Sequence, residues 1–205
     1  MNKYQYIIGI DEAGRGPLAG PVSVAAVAIP ASLYRNVIQQ FKGVKDSKQL
    51  SSNARERYFK QIKKQSKRSL LYAVSLVGNK CIDRIGIVGA IDRALARSLE
   101  KLSIPPSKAK ILLDGGLHAP KLYVFQKTII RGDEKEKVIA LASIVAKVRR
   151  DRHMVKIAKK HKGYAFEIHK GYGTKAHIEV IQRKGLCVIH RRSFCHSLQK
   201  VKDIV

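Results

Sequence analysis

Four acidic residues of this sequence stand at or just beyond the ends of apolar runs. Asp11 and Glu12 follow YIIGI, Asp114 follows ILL, and Asp133 comes after an apolar run that ends at residue 130. Carboxylates that meet at one place repel one another unless cations lie between them, and such hard oxygen ligands suit Mg²⁺ or Mn²⁺. Two ions about 3.5–4 Å apart can activate water and stabilise the leaving oxygen of a phosphodiester. The four acids therefore indicate a two-metal hydrolytic site.

The same acids have a second interpretation, as residues that form turns. Asp114 precedes two glycines, which is a common turn, and Asp133 could start a helix through capping and dipole effects. Asp11 and Glu12 are the exception, because two adjacent acids are poor choices at the end of an apolar strand. The residue pattern alone leaves the metal site and the turn-forming interpretation equally open.

The segment 14–20, GRGPLAG, follows the first two acids. It matches a GxGxxA dinucleotide-binding pattern. We reject that interpretation, because Pro17 and Pro21 lead into another strand and leave no helix N-terminus for a pyrophosphate, which Asp11 and Glu12 would also repel. A glycine-lined backbone beside metals suits close contact with a sugar–phosphate chain. The alternative is a tight connection between two strands.

The elements that must position these residues can be predicted from periodicity and breakers. We predict a helix that begins at Ser51 or Ser52, a helical segment over 82–102 that breaks near Gly86 and Gly89, one long helix from Glu134 to about residue 160, and a helical, basic end. The predicted strands are residues 4–11, 22–29, 70–77, 110–113 and 122–130. This order predicts an α/β fold, a mixed sheet flanked by helices, with clefts at strand ends.

The composition restricts the class of protein. The chain has 205 residues, 41 Lys and Arg against 15 Asp and Glu, a formal charge of +26 and 45% hydrophobic residues. It can therefore bury a core, which excludes a disordered basic tail, and its charge favours a polyanionic partner such as nucleic acid. Three cysteines without a CxxC pair predict no disulfide framework and a reducing, cytoplasmic location. The longest uncharged stretch, 16–34, is interrupted by three prolines, so we predict no membrane span.

Several longer motifs resemble those of the ribonuclease HII family, in the family's order and over nearly the whole chain. They are GIDEAGRGPLAGPV at 9–22, DSKQLS at 46–51, LLDGG at 112–116, RGDEKEKVIALASIVAKVRRDR at 131–152, HKGYGTKAHIEV at 169–180 and HRRSF at 190–194. The resemblance implies a ribonuclease H-like catalytic domain over residues 1–163 and a small helical C-terminal extension over residues 164–205. It also implies Mg²⁺ or Mn²⁺, held by the family's acidic quartet, here Asp11, Glu12, Asp114 and Asp133.

The activity that the resemblance implies is endonucleolytic cleavage of the RNA strand in RNA/DNA hybrids and of single ribonucleotides embedded in duplex DNA. The products would carry a 5′-phosphate and a 3′-hydroxyl. By the same resemblance, Gly14, Arg15 and Gly16 would contact the 2′-hydroxyl and the neighbouring phosphate at the junction between RNA and DNA. Tyr172 would stack on the deoxyribose beyond the junction, although a packed tyrosine is its alternative.

Lys48, Ser143 and Lys147 resemble family positions near the substrate phosphate. A packing serine and a solvated lysine are the alternatives for Ser143 and Lys147. Eight residues from 147 to 162 are Lys or Arg, and those that face phosphates would each steepen the salt dependence of binding by about 0.9 in log–log slope. Among them Asp151 is expected to form an ion pair, and His169 and His190 are interpreted as structural or adjacent to phosphate.

Two hypotheses follow for the function of the chain. The first is a two-metal ribonuclease whose partners are RNA/DNA hybrids and DNA duplexes that contain ribonucleotides. The second is a non-catalytic basic protein that binds nucleic acid and uses its acids as turn residues. A monomer is expected in both cases.

Overall fold

One five-stranded sheet forms the centre of the protein. The computed structural model describes residues 3–44, 50–66 and 68–199, and its strands follow the order β3-β2-β1-β4-β5 across the sheet. Their bounds are β1 Tyr6–Ala13, β2 Val22–Pro30, β3 Leu71–Val77, β4 Ala109–Asp114 and β5 Gln126–Ile129.

Helices cover both faces of this sheet and form the C-terminal part of the described chain. The α-helices are α1 Tyr34–Gln40, α2 Ser52–Gln65, α3 Asn79–Leu102, α4 Gly132–Lys135, α5 Lys137–Ala158, α6 Phe166–His169, α7 Lys175–Lys184 and α8 His196–Gln199. The helix α2 begins where the sequence predicts, since Ser51 is its N-cap and accepts a hydrogen bond from the Ala54 N–H. The helix α3 is interrupted at Gly86, which has non-helical backbone angles, so the predicted break is confirmed there.

The pairing of the strands is mixed, as predicted. The strand β1 runs antiparallel to β2 and parallel to β4, and β4 is parallel to β5. Ile10 pairs with Leu113, so Asp11 and Asp114 come next along two neighbouring parallel strands. The carboxyl ends of β1, β4 and β5 therefore reach the same edge of the sheet, and this edge carries the candidate site.

Two apolar layers hold the sheet between helices. On one face Ile8, Ile10 and the alternate β4 residues Ala109, Ile111 and Leu113 pack with α3 in a buried cluster. On the other face α5 packs against β1 and β2, and nearly every residue of α5 from Val138 to Val148 is buried. The strand residues alternate between these two layers, as the two-residue period of a strand requires. Burial on both faces fixes the register and thus the position of the strand ends.

Three predicted boundaries were wrong. The helix predicted from Glu134 to about residue 160 is two helices, because Glu136 adopts an extended conformation between α4 and α5. The strand predicted over 122–130 is limited to β5, because a turn closed by the Tyr123 N–H and the Pro120 carbonyl precedes it and leaves Val124 70% exposed. The first strand extends past Asp11 to Ala13.

The chain after α5 is less helical than predicted. Short helices α6, α7 and α8 alternate with turns. Phe166 packs in a buried cluster with Ala19, Met154 and Ala158, so this segment lies against both α5 and the glycine-containing loop between β1 and β2. Among the described residues no helix is long and apolar enough to cross a membrane.

Candidate active site

Three of the four predicted acids converge at the carboxyl edge of the sheet. One carboxylate oxygen from each of Asp11, Asp114 and Asp133 lies within 4.8 Å of the other two. Asp11 and Asp133 are buried, with 3% and 5% of their surface exposed, and Asp114 is half-buried. Buried carboxylates at this spacing are costly unless a cation or a proton offsets their charge. This cluster of three aspartates is called the acidic cluster below.

Backbone contacts fix the positions of Asp114, at the end of β4, and of Asp133, after β5. Asp114 is the last residue of β4 and pairs with Ile129 of β5. After β5, Arg131 adopts a left-handed conformation with φ 54°, which turns the chain so that Gly132 and Asp133 face back toward β4. The Gly132 N–H then donates a hydrogen bond of 2.6 Å to Asp114 Oδ1. The turn after β5 and the end of β4 thus form one unit.

The electrostatic environment raises the pKa of two carboxyls. Burial is the main cause that holds the pKa of Asp11 well above its usual value, and the neighbouring charges of Glu12 and Asp114 raise it further. A hydrogen bond with Ser143 acts in the opposite direction. The pKa of Glu12 is also raised, mainly by burial, while Arg15, whose Nη1 lies 3.7 Å from Glu12 Oε1, lowers it. The acidic cluster is thus a site that favours a bound cation.

A pocket of about 280 Å³ opens beside the acidic cluster and brings together most residues that the sequence singled out. Its lining contains all three residues of the GRG segment and two of the three residues named for phosphate contact, Ser143 and Lys147. The lining residues are Asp11, Glu12, Ala13, Gly14, Arg15, Gly16, Asp114, Ser143, Lys147 and Tyr172. Asp133 contributes through the acidic cluster, and Lys48 lies outside the described residues.

The helix α5 supplies Ser143 and Lys147 from one of its faces, one turn apart. Ser143 is buried beside Asp11. The Nζ of Lys147 lies 2.9 Å from Asp151 Oδ1 and 5.4 Å from the ring centre of Tyr172. The ion pair expected for Asp151 is therefore present, with a lysine as its partner. Lys147 and Tyr172 both line the pocket beside the acidic cluster.

A second pocket, of about 520 Å³, continues from Lys147 and Tyr172 along the surface between α2, α5 and α6. Basic side chains of Arg55, Arg152 and Lys170 line it. The Arg152 guanidinium makes two hydrogen bonds to the carboxylate of Glu56. The two pockets share Lys147 and Tyr172 and so form one path, called the basic path below because four Lys and Arg residues against two acids, Glu56 and Asp151, line its second part.

Three histidines of the C-terminal segment stack on one another, and one of them contacts the backbone of Tyr172. The ring centres of His169 and His177 lie 4.1 Å apart, and those of His177 and His190 lie 5.2 Å apart. His177 Nδ1 lies 2.8 Å from the Tyr172 carbonyl, which can only accept, so Nδ1 carries the proton. Its Nε2 then accepts from His190 Nε2 at 3.1 Å, and His190 Nδ1 accepts from the Cys187 N–H. Both rings are neutral in this arrangement.

This histidine stack could not be predicted from the sequence, because spacing along the chain does not show which rings meet. Burial is the main cause that lowers the pKa of His177 and of His190 to about 4. His169 and His190, interpreted from the sequence as structural or adjacent to phosphate, are both buried, and His169 also lines the second pocket. Arg150 and Arg191, which are fully buried under the glycine-containing loop, were not predicted either. Only the motifs around them gave a signal.

The fold and the site define a class of protein, a phosphodiester hydrolase of the α/β type that depends on divalent metal. The sequence model of the ribonuclease HII family matches residues 8–197. The ribonuclease HII of Caldicellulosiruptor bescii is 47% identical over 195 residues, which cover 95% of this chain and 89% of that protein. The chain belongs to the ribonuclease HII family and is a metal-dependent ribonuclease, with activity of the ribonuclease H type on RNA/DNA hybrids.

Solved structures agree with this assignment. The ribonuclease H2 of Pyrococcus horikoshii is 25% identical with a TM-score of 0.72, and the match covers 98% of this chain and all of that one. The Bst-RNase HIII in complex with Mn²⁺ has the same fold, with a TM-score of 0.63, 20% identity and coverage of 90% and 64%. Membership of an enzyme family excludes the hypothesis of a purely binding protein.

Proposed function

We propose that this protein is an endonuclease that also cuts at single ribonucleotides embedded in duplex DNA, by hydrolysis with two divalent ions. The products would carry a 5′-phosphate and a 3′-hydroxyl. The observation that carries the proposal is the convergence of Asp11, Asp114 and Asp133 beside a pocket lined by Gly14 and Gly16. A site for cations thus adjoins a glycine-lined surface on which a sugar can approach the backbone closely.

Mg²⁺ or Mn²⁺ fits the acidic cluster, because every ligand there is a carboxylate oxygen. Asp11, Asp114 and Asp133 would hold the ions together with Glu12, which also lines the pocket. A cation would also offset the repulsion that, with burial, raises the pKa of Asp11. When bound, the ions supply a nucleophile from water and neutralise charge on the leaving oxygen.

The protein's own part in the reaction is to hold the carboxylates and the substrate in position. Ser143 makes a hydrogen bond to Asp11, and the Gly132 N–H makes one to Asp114. Both contacts fix carboxylate orientation before substrate arrives, which lowers the entropic cost of reaching the transition state. Neither contact requires a side chain to move on binding.

Discrimination between ribose and deoxyribose is assigned to Gly14, Arg15 and Gly16. A 2′-hydroxyl is the group that distinguishes RNA from DNA at one position, and it can be read by backbone N–H and C=O groups. A Cβ added to Gly16 would meet no atom of the protein within 4 Å, so there is open space over this residue. The Arg15 side chain is 52% exposed and is long enough to reach a phosphate.

Tyr172 and Lys147 would hold the DNA beyond the junction. The tyrosine is 38% exposed and lies at the boundary between the two pockets. Its ring offers a flat apolar face to a deoxyribose, while Lys147 beside it offers charge to a phosphate. The basic path lined by Arg55, Arg152 and Lys170 would then follow the duplex away from the site.

We also infer that residues 164–205 form an extension on a catalytic domain of residues 1–163. Support comes from the packing of Phe166 with Ala19 and Met154, which ties the extension to the loop of the site.

We also infer that the enzyme works in the cytoplasm, where its substrates are found, and that it is a monomer. Size-exclusion chromatography with light scattering tests the monomer, for which a mass near 22.9 kDa is expected.

The test of the proposed function is a DNA duplex that carries one ribonucleotide. We expect nicking at that ribonucleotide with Mg²⁺ or Mn²⁺, no nicking with a chelator and no nicking of the same duplex made wholly of DNA. Mapping of the ends should find a 5′-phosphate and a 3′-hydroxyl. Cleavage of an RNA/DNA hybrid without any cleavage at the single ribonucleotide would contradict the proposal while leaving the ribonuclease activity in place.

A further inference from the structure

Two arginines lie fully buried beneath the loop that joins β1 to β2. Arg150 belongs to α5 and Arg191 precedes the last short helices, and each has 0% of its surface exposed. Arginines are seldom buried to this extent, because the guanidinium loses its hydration and keeps its charge. Such a cost indicates that the two side chains have a role that a smaller or apolar residue could not fill.

The acceptors of their hydrogen bonds all belong to one loop. Arg191 donates from Nη2 to the Gly14 carbonyl at 2.7 Å, from Nη1 to that of Arg15 at 2.9 Å and from Nε to that of Gly20 at 3.0 Å. Arg150 donates from Nε to the Pro21 carbonyl at 2.9 Å and from Nη2 to that of Ala19 at 3.2 Å. These five hydrogen bonds reach five different carbonyls between residues 14 and 21.

The contacts fix the shape of the loop at its start and at its end. Carbonyls held on the inner side leave the outer side of Gly14, Arg15 and Gly16 to face the pocket. The fit is close, because a Cβ on Gly14 would lie 2.0 Å from Arg150 Nε, and Gly14 has φ +89°. Only glycine at position 14 therefore allows the guanidinium to lie against the backbone.

The same arginines connect the loop to the other parts of the pocket. Arg150 lies one turn from Lys147 on α5, and its Cζ is 5.5 Å from the ring centre of Tyr172. Arg191 follows His190, whose ring contacts His177 and through it the Tyr172 carbonyl. Arg150 thus connects the loop, the tyrosine and the helix that carries Ser143, and Arg191 connects the loop to the segment whose His190 leads to the tyrosine.

The buried charge points to an anion above the loop. Arg150 Nη1 has no hydrogen-bond partner among the residues that the structure describes. Burial, and then the charge of Arg150, lowers the pKa of Arg191 to about 9. A phosphate bound over Gly14–Gly16 would offset the repulsion between the two guanidiniums, so the positive charge below favours occupancy of the loop by nucleic acid.

We propose that Arg150 and Arg191 are positioning residues that hold Gly14–Gly16 in the shape that recognises a ribonucleotide. This inference rests on the proposed function of that loop. The two arginines do not touch the substrate; they act through the carbonyls of the loop. Their loss should therefore reduce discrimination at a single ribonucleotide more than it reduces hydrolysis of a long hybrid, in which neighbouring contacts compensate.

Arg191→Lys tests the proposal. A lysine keeps the positive charge, but its single ammonium cannot span three carbonyls in the way a guanidinium does. Arg192→Lys is the matched control, because Arg192 is the next residue and is exposed. Two readouts are needed, amide hydrogen exchange of the protein without metal and substrate, and kcat/KM on a duplex with one ribonucleotide and on an RNA/DNA hybrid.

We expect Arg191→Lys to raise the exchange rates of the amides of residues 14–20 about tenfold or more, with the amides of β1 and β4 unchanged. The ratio of kcat/KM on the single ribonucleotide to that on the hybrid should fall about tenfold. Arg192→Lys should change neither. An unchanged ratio, or an equal rise in exchange throughout the sheet, would overturn the positioning role.

Arg150→Lys tests the same loop from α5 and replaces Arg191→Lys if thermal unfolding shows that the latter does not fold. The outcomes distinguish the two proposals. If the unmodified protein does not nick the single ribonucleotide, the proposed function itself fails. If it nicks normally while the variant keeps its ratio and its exchange rates, only the positioning role fails.

Discussion

The Gly132 N–H donates a 2.6 Å hydrogen bond to Asp114 Oδ1. The donor follows β5 and the acceptor ends β4, so a single contact joins the two turns that carry Asp114 and Asp133. Because β4 is also paired with β1, which carries Asp11, all three acids depend on one rigid edge of the sheet. The acidic cluster is therefore formed by the fold before any cation binds.

Gly132→Ala should disturb this edge. A Cβ at this position would lie 2.6 Å from Ile139 Cδ1 and 3.3 Å from Asp114 Oδ1, so the Ile139 side chain must move and the Asp114 carboxylate must shift slightly. We expect a loss of about 1–3 kcal/mol in the free energy of unfolding and a clear fall in cleavage. Gly116→Ala is the control, since a Cβ there meets nothing within 4 Å. Equal activity of the two variants would contradict this account.

The glycines of the GRG segment should respond differently to alanine. At Gly14 the added Cβ would overlap Arg150, so Gly14→Ala should destabilise the protein. At Gly16 the Cβ meets no protein atom, so the free energy of unfolding of Gly16→Ala should stay within about 0.5 kcal/mol of the unmodified protein. Its cleavage at a single ribonucleotide should nevertheless fall, because the methyl group enters the space assigned to the sugar. Unchanged cleavage by Gly16→Ala would argue against contact there.

Arg15→Ala and Tyr172→Ala should separate substrate recognition from metal binding. Neither residue belongs to the acidic cluster, and both line the pocket beside it. We expect cleavage at an embedded ribonucleotide to fall about tenfold or more, because one positioned contact is lost. The affinity for Mn²⁺, measured by calorimetry, should change little. A matching loss of Mn²⁺ affinity and of thermal stability would instead indicate structural roles.

The histidine stack predicts how stability depends on pH. The pKa of His177 and of His190 is about 4 in the folded protein, and the ordinary value is 6.5. Between these values the unfolded chain binds protons that the folded protein does not, so the free energy of unfolding falls as pH falls from about 6.5 toward 4. A shift of about 2.5 pKa units corresponds to a loss of at most about 3 kcal/mol for each of the two rings.

His190→Gln isolates this contribution from that of the carboxyls. With one buried histidine removed, the variant should lose less stability on acidification. The difference in the free energy of unfolding between the unmodified protein and the variant should therefore be smaller at pH 5 than at pH 7.5. Denaturant unfolding at several pH values measures this difference. His118→Gln is the control, because His118 is exposed, and its difference should stay constant. A constant difference for His190→Gln would show that the ring is not buried as a neutral group.

The elements that carry clear periodicity could be predicted from the sequence, because the signals for them lie within short segments of the chain. The strands β1 and β2 are continuous apolar runs, and Ser51 is a strong helix-start signal, so these features needed no tertiary information. The break at Glu136 could not be predicted in this way. No glycine or proline marks it, and its extended conformation follows from packing of α5 on the sheet after the turn at Arg131.

The acids of the site were found because carboxylates at strand ends are unusual in so basic a chain. The residues that support them were not found. Arg150 is one of eight Lys and Arg residues between 147 and 162, and nothing in that run distinguishes the one that is buried under a loop. His177 of α7 and His190 meet only because the chain after α7 folds back onto that helix. Such contacts depend on which elements become neighbours, and composition and spacing do not contain that information.

The most direct test of the account compares cleavage and binding by Asp114→Asn. Asparagine keeps the size of the side chain and can still accept the Gly132 hydrogen bond, but it removes one charge from the acidic cluster. On a duplex with one ribonucleotide in Mg²⁺ or Mn²⁺, nicking should fall about a hundredfold or more, while affinity for the duplex stays within about threefold. Normal nicking by Asp114→Asn would contradict the assignment of the acidic cluster as the metal site.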